Sequence, residues 1–145
     1  MVEVNPLQEK FDHPPFSKIE TKHFKPAFEK SLKDAREEID LIVANSESPS
    51  FKNTIEALEF SGNQLGRIAS IFFNLNSAET NPEIQKLAQE ISPLLSEFNN
   101  DLLLNKELFI SYFIDNCFID FFNQKNTLLR KFIIMRVLSI IMFLW

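Results

Sequence analysis

Apolar residues recur at helical spacing along most of this chain. They lie three or four positions apart over 24–43, 55–75 and 84–98, which is the pattern of one buried face on an amphipathic helix. The positions that form these faces are Phe24, Ala27, Phe28, Leu32, Ala35, Ile39, Ile42, Val43, Ile55, Leu58, Leu65, Ile68, Phe72, Leu75, Ile84, Leu87, Ala88, Ile91, Leu94, Leu95 and Phe98. The pattern predicts an all-α fold of three or four helices in antiparallel hairpins with short connections.

Residues that begin or break helices mark the boundaries of the first two segments. Proline is tolerated in the first turn, so Pro26 predicts a helix start near Lys25. The run Ser-Glu-Ser-Pro-Ser breaks this helix, and Asn53 followed by Glu56 predicts a capping pair that opens the next one. Residues 1–23, which contain several prolines, are predicted to be an extended lead-in.

Two aromatic side chains of the lead-in, Phe11 and Phe16, are predicted to hold it against the helices. Further on, Gly62 and Gly66 stand four residues apart inside the second helical pattern. Each lowers helix propensity by about 1 kcal/mol relative to alanine. Small residues at this spacing also let another helix approach closely, and this packing role is favoured over a break.

The third segment has a clear beginning. Asn81 can cap a helix whose first residue is Pro82, a position that suits proline. Pro93 lies inside the same segment and predicts either a kink near Gln89 or Glu90 or two shorter helices. A fourth helix is expected to begin at Asn105.

Composition and charge narrow the class of protein. The chain has 145 residues, two glycines and a net charge of −5, and it has no cluster of Lys and Arg of the kind that binds nucleic acid. Its single cysteine, Cys117, cannot form an internal disulfide, and the first residues lack the apolar run of a secretory signal. A cytoplasmic location is expected.

The side chains that carry chemistry show no arrangement typical of an active site. His13 and His23 share no helical register, and Cys117 has no nearby histidine to activate it. The acidic stretch 33–40 is expected to be a solvated helix face with ion pairs to Lys and Arg. We therefore predict no catalytic, cofactor-binding or metal-binding residue in this chain.

Three stretches of the chain resemble a known protein family. They are residues 5–40, which contain KHFKPAF, residues 51–85, which contain FKNTIEALEFSGNQLGRIAS, and residues 87–109, which contain LAQEISPLLSEFNNDLLL. In this order they closely resemble the N-terminal region of the thimet oligopeptidase family, within the branch of peptidyl-dipeptidase Dcp and oligopeptidase A.

The resemblance implies part of a zinc metallopeptidase that cleaves short oligopeptides inside a channel between two helical halves. In the family, zinc is held by the two histidines of an HExxH helix and a later glutamate, and none of these maps onto this chain. His23 then belongs to the N-terminal signature and is not a zinc ligand. Residues 24–109 would be structural helices of the non-catalytic half, inactive alone, whereas the complete enzyme would bind zinc and short peptides.

The segment 110–145 departs from the family pattern. It holds two acidic and four basic residues among many apolar ones, and it ends in FIIMRVLSIIMFLW. A frameshifted or truncated gene product is favoured over an evolved membrane-contacting segment, because this run is shorter than the roughly 20 residues that cross a bilayer. Self-association through the segment is expected. The alternative function is a stand-alone helical module for interaction or membrane association.

Overall fold

A computed structural model describes residues 4–9, 11 and 13–108 of the chain. The segment 110–145, including Cys117, lies outside the described residues. The regular elements among the described residues are all helical, which confirms the all-α prediction. They are a 3-10 turn at Phe16–Lys18, α1 at Thr21–Val43, a π-helical turn at Phe51–Glu56, α2 at Ala57–Phe60, α3 at Asn63–Ala78 and α4 at Pro82–Leu103.

The chain divides into two compact units. Among the described residues, the first comprises 4–9, 11, 13–40 and 60–100, and the second comprises 41–59 and 101–108. The division predicted from the sequence, at residues 23 and 109, follows different criteria and stays a prediction.

Helix α1 is antiparallel to α3 in the first unit. Near the start of α1, Phe24 and Phe28 contact Phe72, which lies in the second half of α3. Farther along α1, the Glu38 carboxylate accepts a hydrogen bond from the Gly62 N–H, at the start of α3, over 2.7 Å. The contacts therefore run in opposite directions along the two helices, as predicted.

Helix α1 is parallel to α4. The Lys25 ammonium lies 2.9 Å from the Glu90 carboxylate, and the Arg36 guanidinium lies 5.6 Å from the centre of the Phe98 ring. Both contacts advance in the same direction along the two chains. Since a short connection turns α3 back into α4, α1 has an antiparallel neighbour and a parallel one.

The centre of the core is aromatic. The Phe72 ring makes edge-to-face contacts with Phe24, Phe28 and Phe73, at centroid distances of 5.0, 5.6 and 5.2 Å. Around these rings, the predicted helix faces are buried over most of their length. The buried apolar side chains of the first unit are Leu7, Phe24, Ala27, Phe28, Leu32, Ala35, Ile39, Leu65, Ile68, Ile71, Phe72, Ile84, Ile91 and Phe98.

Helix α1 begins at Thr21, so the predicted start near Lys25 is wrong by about one turn. The Glu20 N–H donates to His23 Nδ1 over 3.0 Å, and the His23 N–H donates to the Glu20 carbonyl over 3.0 Å. Together these bonds close a first turn before the proline. Pro26 consequently lies in the second turn.

The predicted capping pair, Asn53 with Glu56, is displaced along the chain. Ser50 is the cap: its hydroxyl accepts from the Asn53 N–H over 3.2 Å, and the Ser50 N–H donates to Asn53 Oδ1 over 2.7 Å. These reciprocal bonds form a capping box. Asn53 therefore serves as the third residue of the turn, not as its cap.

The predicted packing role is wrong for Gly66, whereas a Cβ built on Gly62 would lie 3.7 Å from the Ala35 Cβ of α1. Gly62 also separates α2 from α3. Its φ is 67°, a left-handed conformation that L side chains rarely adopt. A Cβ built on Gly66 would have nothing within 4 Å, so no helix packs closely there. The predicted continuous helix is instead a π-helical turn, α2 and α3.

The predicted starts of the later helices are confirmed. Asn81 Oδ1 accepts from the Ile84 N–H over 2.9 Å, and Pro82 is the first residue of α4. Asn105 Oδ1 likewise accepts from the Leu108 N–H over 2.9 Å, and residues 106–108 are helical. Since α4 runs through Pro93, the alternative of two shorter helices is wrong.

Within the described part of the chain, no helix combines the length and the apolar character that crossing a bilayer requires.

Candidate functional site

An open groove lies between the first turns of α1 and the first half of α4. Because the two helices run in parallel, Phe28 of α1 lies on the same groove as Ile91 and Leu94 of α4, and these side chains form its apolar wall. The groove has a volume of about 470 Å³. Phe28 and Ile91 are buried, whereas Leu94 is 39% exposed. The groove therefore offers a partly solvated apolar surface.

An ion pair crosses this groove. Lys25 Nζ donates to Glu90 Oε2 over 2.9 Å, and both side chains are exposed. The hydrogen bond and the charge of Lys25 lower the pKa of the Glu90 carboxyl below its usual 4.5. The same bond and the charge of Glu90 raise the pKa of Lys25 above its usual 10.5. Both groups are therefore ionised over a wide pH range.

A second depression of about 320 Å³ adjoins the first and shares this ion pair. Its wall carries further charges of both signs, including Glu83 and Lys86 of α4. Mixed charges around an apolar floor suit the binding of another protein segment. General acid–base catalysis would need a group whose pKa lies near the working pH, and the shifts of Lys25 and Glu90 run away from neutrality.

The two histidines and the cysteine considered in the sequence analysis do not form a common site among the described residues. His13 is exposed, whereas His23 is 7% exposed and its Nδ1 accepts from the Glu20 N–H. That bond gives His23 the role of a helix cap. Cys117 lies outside the described residues.

The described residues do not fit a catalytic zinc ion. Such a site takes three protein ligands and leaves one position for water. No group of three or more His, Cys, Asp or Glu side chains in residues 4–9, 11 and 13–108 could hold a metal ion.

The acidic stretch 33–40 is a solvated helix face, as predicted. Lys33 pairs with Glu37 over 3.6 Å, and Asp34 pairs with Lys30 over 2.6 Å, both at the i, i+4 spacing. Glu38 is an exception that the sequence did not indicate, since its carboxylate accepts the Gly62 N–H at the start of α3.

A second site was not predicted from the sequence. Leu7 in the lead-in is fully buried, and its carbonyl accepts from Gln64 Nε2 over 2.7 Å. Of the two aromatic anchors predicted for this segment, Phe11 lies under the Arg67 guanidinium at 4.9 Å, but Phe16 is 56% exposed. The prediction is therefore wrong for Phe16. A single leucine between polar residues gives little sequence signal.

Several peptidases are similar to this chain, although no protein-family model matches it. The chain is 45% identical over 96 residues to the dipeptidyl carboxypeptidase of Escherichia coli K12, and the aligned region covers 66% of this chain and 14% of that protein. It is 36% identical over 108 residues to oligopeptidase A of Escherichia coli K12, covering 74% and 16%. It is 25% identical over 108 residues to a probable cytosolic oligopeptidase A of Arabidopsis thaliana, covering 74% and 15%.

The similarity covers most of this chain but a small part of its relatives. The dipeptidyl carboxypeptidases and bacterial oligopeptidases A match it at 34 to 45% identity, over 14 to 16% of their own lengths. The helical architecture agrees with the family expected from the residues quoted above. By sequence, this chain is therefore a relative of the dipeptidyl carboxypeptidases and oligopeptidases A, in agreement with the predicted resemblance to the thimet oligopeptidase family.

Proposed function

We propose that this chain is a non-catalytic helical scaffold from the N-terminal half of a zinc metallopeptidase that cleaves short oligopeptides. The observation that carries the proposal is the 45% identity over 96 residues to a dipeptidyl carboxypeptidase. In that role, its helices support the wall of a channel that admits short peptides. A cytoplasmic location belongs to the same proposal.

The distribution of apolar side chains supports a scaffold role. Large apolar side chains that are 38 to 73% exposed occur at Val4, Phe16, Leu41, Phe60, Leu94, Leu103 and Leu104. Scattered apolar residues occur on many protein surfaces. In a protein several times longer than this chain, the additional residues offer surfaces that can cover such positions.

The chemistry proposed for the complete enzyme would come from residues outside this chain. Zinc would supply an activated water for peptide hydrolysis. The described residues offer no ligand set for it. We therefore expect the purified chain neither to bind zinc stoichiometrically nor to hydrolyse short peptides. One tightly held zinc ion per chain, with hydrolysis that a chelator abolishes, would contradict the proposal.

A chimera tests the scaffold role directly. Residues of this chain replace the aligned stretch of the Escherichia coli dipeptidyl carboxypeptidase, and hydrolysis of a short peptide is measured. We expect kcat/KM within about tenfold of the parent enzyme, because the reacting groups are unchanged; a tenfold change corresponds to about 1.4 kcal/mol. A matched chimera that carries Phe72→Ala should lose folded protein. A folded, zinc-loaded chimera without activity would contradict the proposal.

The alternative of a stand-alone interaction or membrane-associating module depended on residues 110–145. These lie outside the described part of the chain, so no described contact favours that alternative. Self-association through this segment stays a prediction, which light scattering on the full chain and on a version ending at Phe109 can test.

A further inference from the structure

A short N-terminal segment, which we call the arm (residues 5–11, of which 5–9 and 11 are described), contacts the helices through two buried residues, Pro6 and Leu7, and several hydrogen bonds. Leu7 is 0% exposed and Pro6 beside it is also buried, whereas Gln8 and Glu9 are exposed. Asn5 shapes the arm locally, because its Oδ1 accepts from the Leu7 N–H over 3.0 Å. The arm therefore presents a buried Pro6-Leu7 pair, with Leu7 as its aliphatic anchor, in a turn closed by the hydrogen bond from the Gln8 N–H to the Asn5 carbonyl.

Helix side chains bind the backbone of the arm. Gln64 Nε2 donates to the Leu7 carbonyl over 2.7 Å, and Arg67 Nη1 donates to the Phe11 carbonyl over 3.4 Å. The Arg67 guanidinium also lies 4.9 Å from the centre of the Phe11 ring. Because Gln64 and Arg67 stand three residues apart on α3, they face the same side of that helix.

A further hydrogen bond joins the arm to α1. Asn5 Nδ2 donates to the His23 carbonyl over 2.7 Å. We call the surface that holds the arm the seat; it is formed by the first turns of α1 and by Gln64 and Arg67 of α3. Peptide-recognition domains likewise combine hydrogen bonds to the peptide backbone with pockets for a few side chains.

The linker between the arm and α1 makes no described hydrogen bond with the seat. Residues 13–19 contain Pro14 and Pro15 and the 3-10 turn Phe16–Lys18, which has no buried residue. The described backbone hydrogen bonds of the linker are internal, for example from the Lys18 N–H to the Pro15 carbonyl over 2.8 Å. Proline also favours extended backbone in the residue that precedes it. The linker can therefore extend without loss of core contacts.

We propose that the seat is a peptide-docking site that accepts the arm of a second copy of this chain in place of its own. The same anchor and the same backbone hydrogen bonds form in either case, so exchange of an identical element costs little contact energy. The tether gives the chain's own arm a high effective concentration, which favours the closed form in dilute solution. A second arm can therefore occupy the seat in two situations. Either the protein is concentrated, or the chain's own arm has lost its Leu7 anchor and no longer competes. This inference does not depend on the proposed peptidase function.

A peptide titration tests the seat in the full chain. The Leu7→Asp variant places a charge on the anchor and so releases the arm from its apolar site. A fluorescein-labelled peptide with the sequence of residues 4–11, VNPLQEKF, is then added and its polarisation is recorded. We expect saturable binding to the variant, and binding at least tenfold weaker to the wild-type chain, because its own arm competes.

Controls separate docking at the seat from general adhesion. A peptide with aspartate in place of Leu7 should bind at least tenfold more weakly than the wild-type peptide. Gln64→Ala, combined with Leu7→Asp in the chain, should also weaken binding. Asn63→Ala in the same background should leave binding unchanged, because this exposed neighbour makes no described contact with the arm.

The outcome that overturns the proposal is defined for a folded chain. Circular dichroism first establishes that the Leu7→Asp variant keeps the helical signal of the wild type. If it does not, Leu7→Ala, which removes the anchor without adding charge, takes its place in the titration. Absence of saturable binding to a helical variant overturns the proposal. Binding that does not depend on Leu7 of the peptide overturns it as well.

Discussion

Phe72 is the side chain whose removal should damage the first unit most. It is fully buried and makes edge-to-face contacts with Phe24 and Phe28 of α1 and with Phe73 of α3. Phe72→Ala would therefore remove the aromatic contact between α1 and α3 and leave a cavity at the centre of the core. Phe60, which is 65% exposed, provides a matched control on the same unit.

The expected magnitude follows from these contacts. Truncation of a buried phenylalanine to alanine lowers the free energy of unfolding by roughly 3–5 kcal/mol. Each edge-to-face aromatic pair contributes about 0.5–1.5 kcal/mol of that loss. The net stability of a domain is only about 5–15 kcal/mol, so Phe72→Ala should remove a large fraction of it. Phe60→Ala should change it by less than about 0.5 kcal/mol.

Urea denaturation followed by circular dichroism measures both effects. Phe72→Leu fills most of the cavity and removes the ring contacts, so its loss should lie between those of Phe72→Ala and Phe60→Ala. The urea concentration at the midpoint should fall from Phe60→Ala to Phe72→Leu to Phe72→Ala. The slope of the unfolding free energy against urea concentration should stay constant. A loss below about 1 kcal/mol for Phe72→Ala, or one equal to that of Phe60→Ala, would refute the assignment of Phe72 to the core.

Three further predictions concern helix ends and charge. Gly66→Ala should stabilise the chain by about 0.5–1 kcal/mol in thermal melts, because a Cβ there has nothing within 4 Å, whereas Gly62→Ala should destabilise it by about 1–2 kcal/mol because its φ is 67°. Equal signs would contradict this. Ser50→Ala should cost about 1 kcal/mol in the same assay, since the hydroxyl caps the π-helical turn; no change would show that the cap is dispensable. For the ion pair, Lys25→Met should raise the pKa of the Glu90 carboxyl toward 4.5 in an NMR titration, and an unchanged pKa would contradict the contact. The contribution of Glu90 to stability is present above pH 4.5 and is lost as the pH falls through its lowered pKa, whereas that of Lys25 is present below pH 10.5 and is lost as the pH rises through its raised pKa.

The features that sequence predicted well depend on local chemistry or on periodicity. The helical spacing around Phe28 identified the buried face of α1, because every turn of an amphipathic helix places its apolar side chain on the same side. The Asn-Pro-Glu run identified the start of α4, because the Asn81 side chain needs only the N–H of a residue three positions later. The absence of a candidate catalytic group is a prediction that the structure of the described residues does not test for the chain as a whole.

The features that sequence missed depend on contacts between distant residues or on equally plausible local choices. Gly62 can serve close packing or a left-handed turn, and the structure shows both, since its φ is 67° and a Cβ there would lie 3.7 Å from the Ala35 Cβ. Both Ser50 and Asn53 are good caps, and the structure pairs them with each other. Leu7 was missed because its site is formed by residues of α1 and α3, whereas Phe16 carries a stronger hydrophobic signal but is exposed.

The seating of the arm also sets an order of events during synthesis. Leu7 leaves the ribosome 57 residues before Gln64, the residue that binds its carbonyl, whereas Asn5 is separated from its partner His23 by only 18 residues. Closing the longer loop costs about 1 kcal/mol more chain entropy than closing the shorter one. The arm must therefore wait for α3 before Leu7 is buried, so an aliphatic side chain stays accessible to chaperones during that interval.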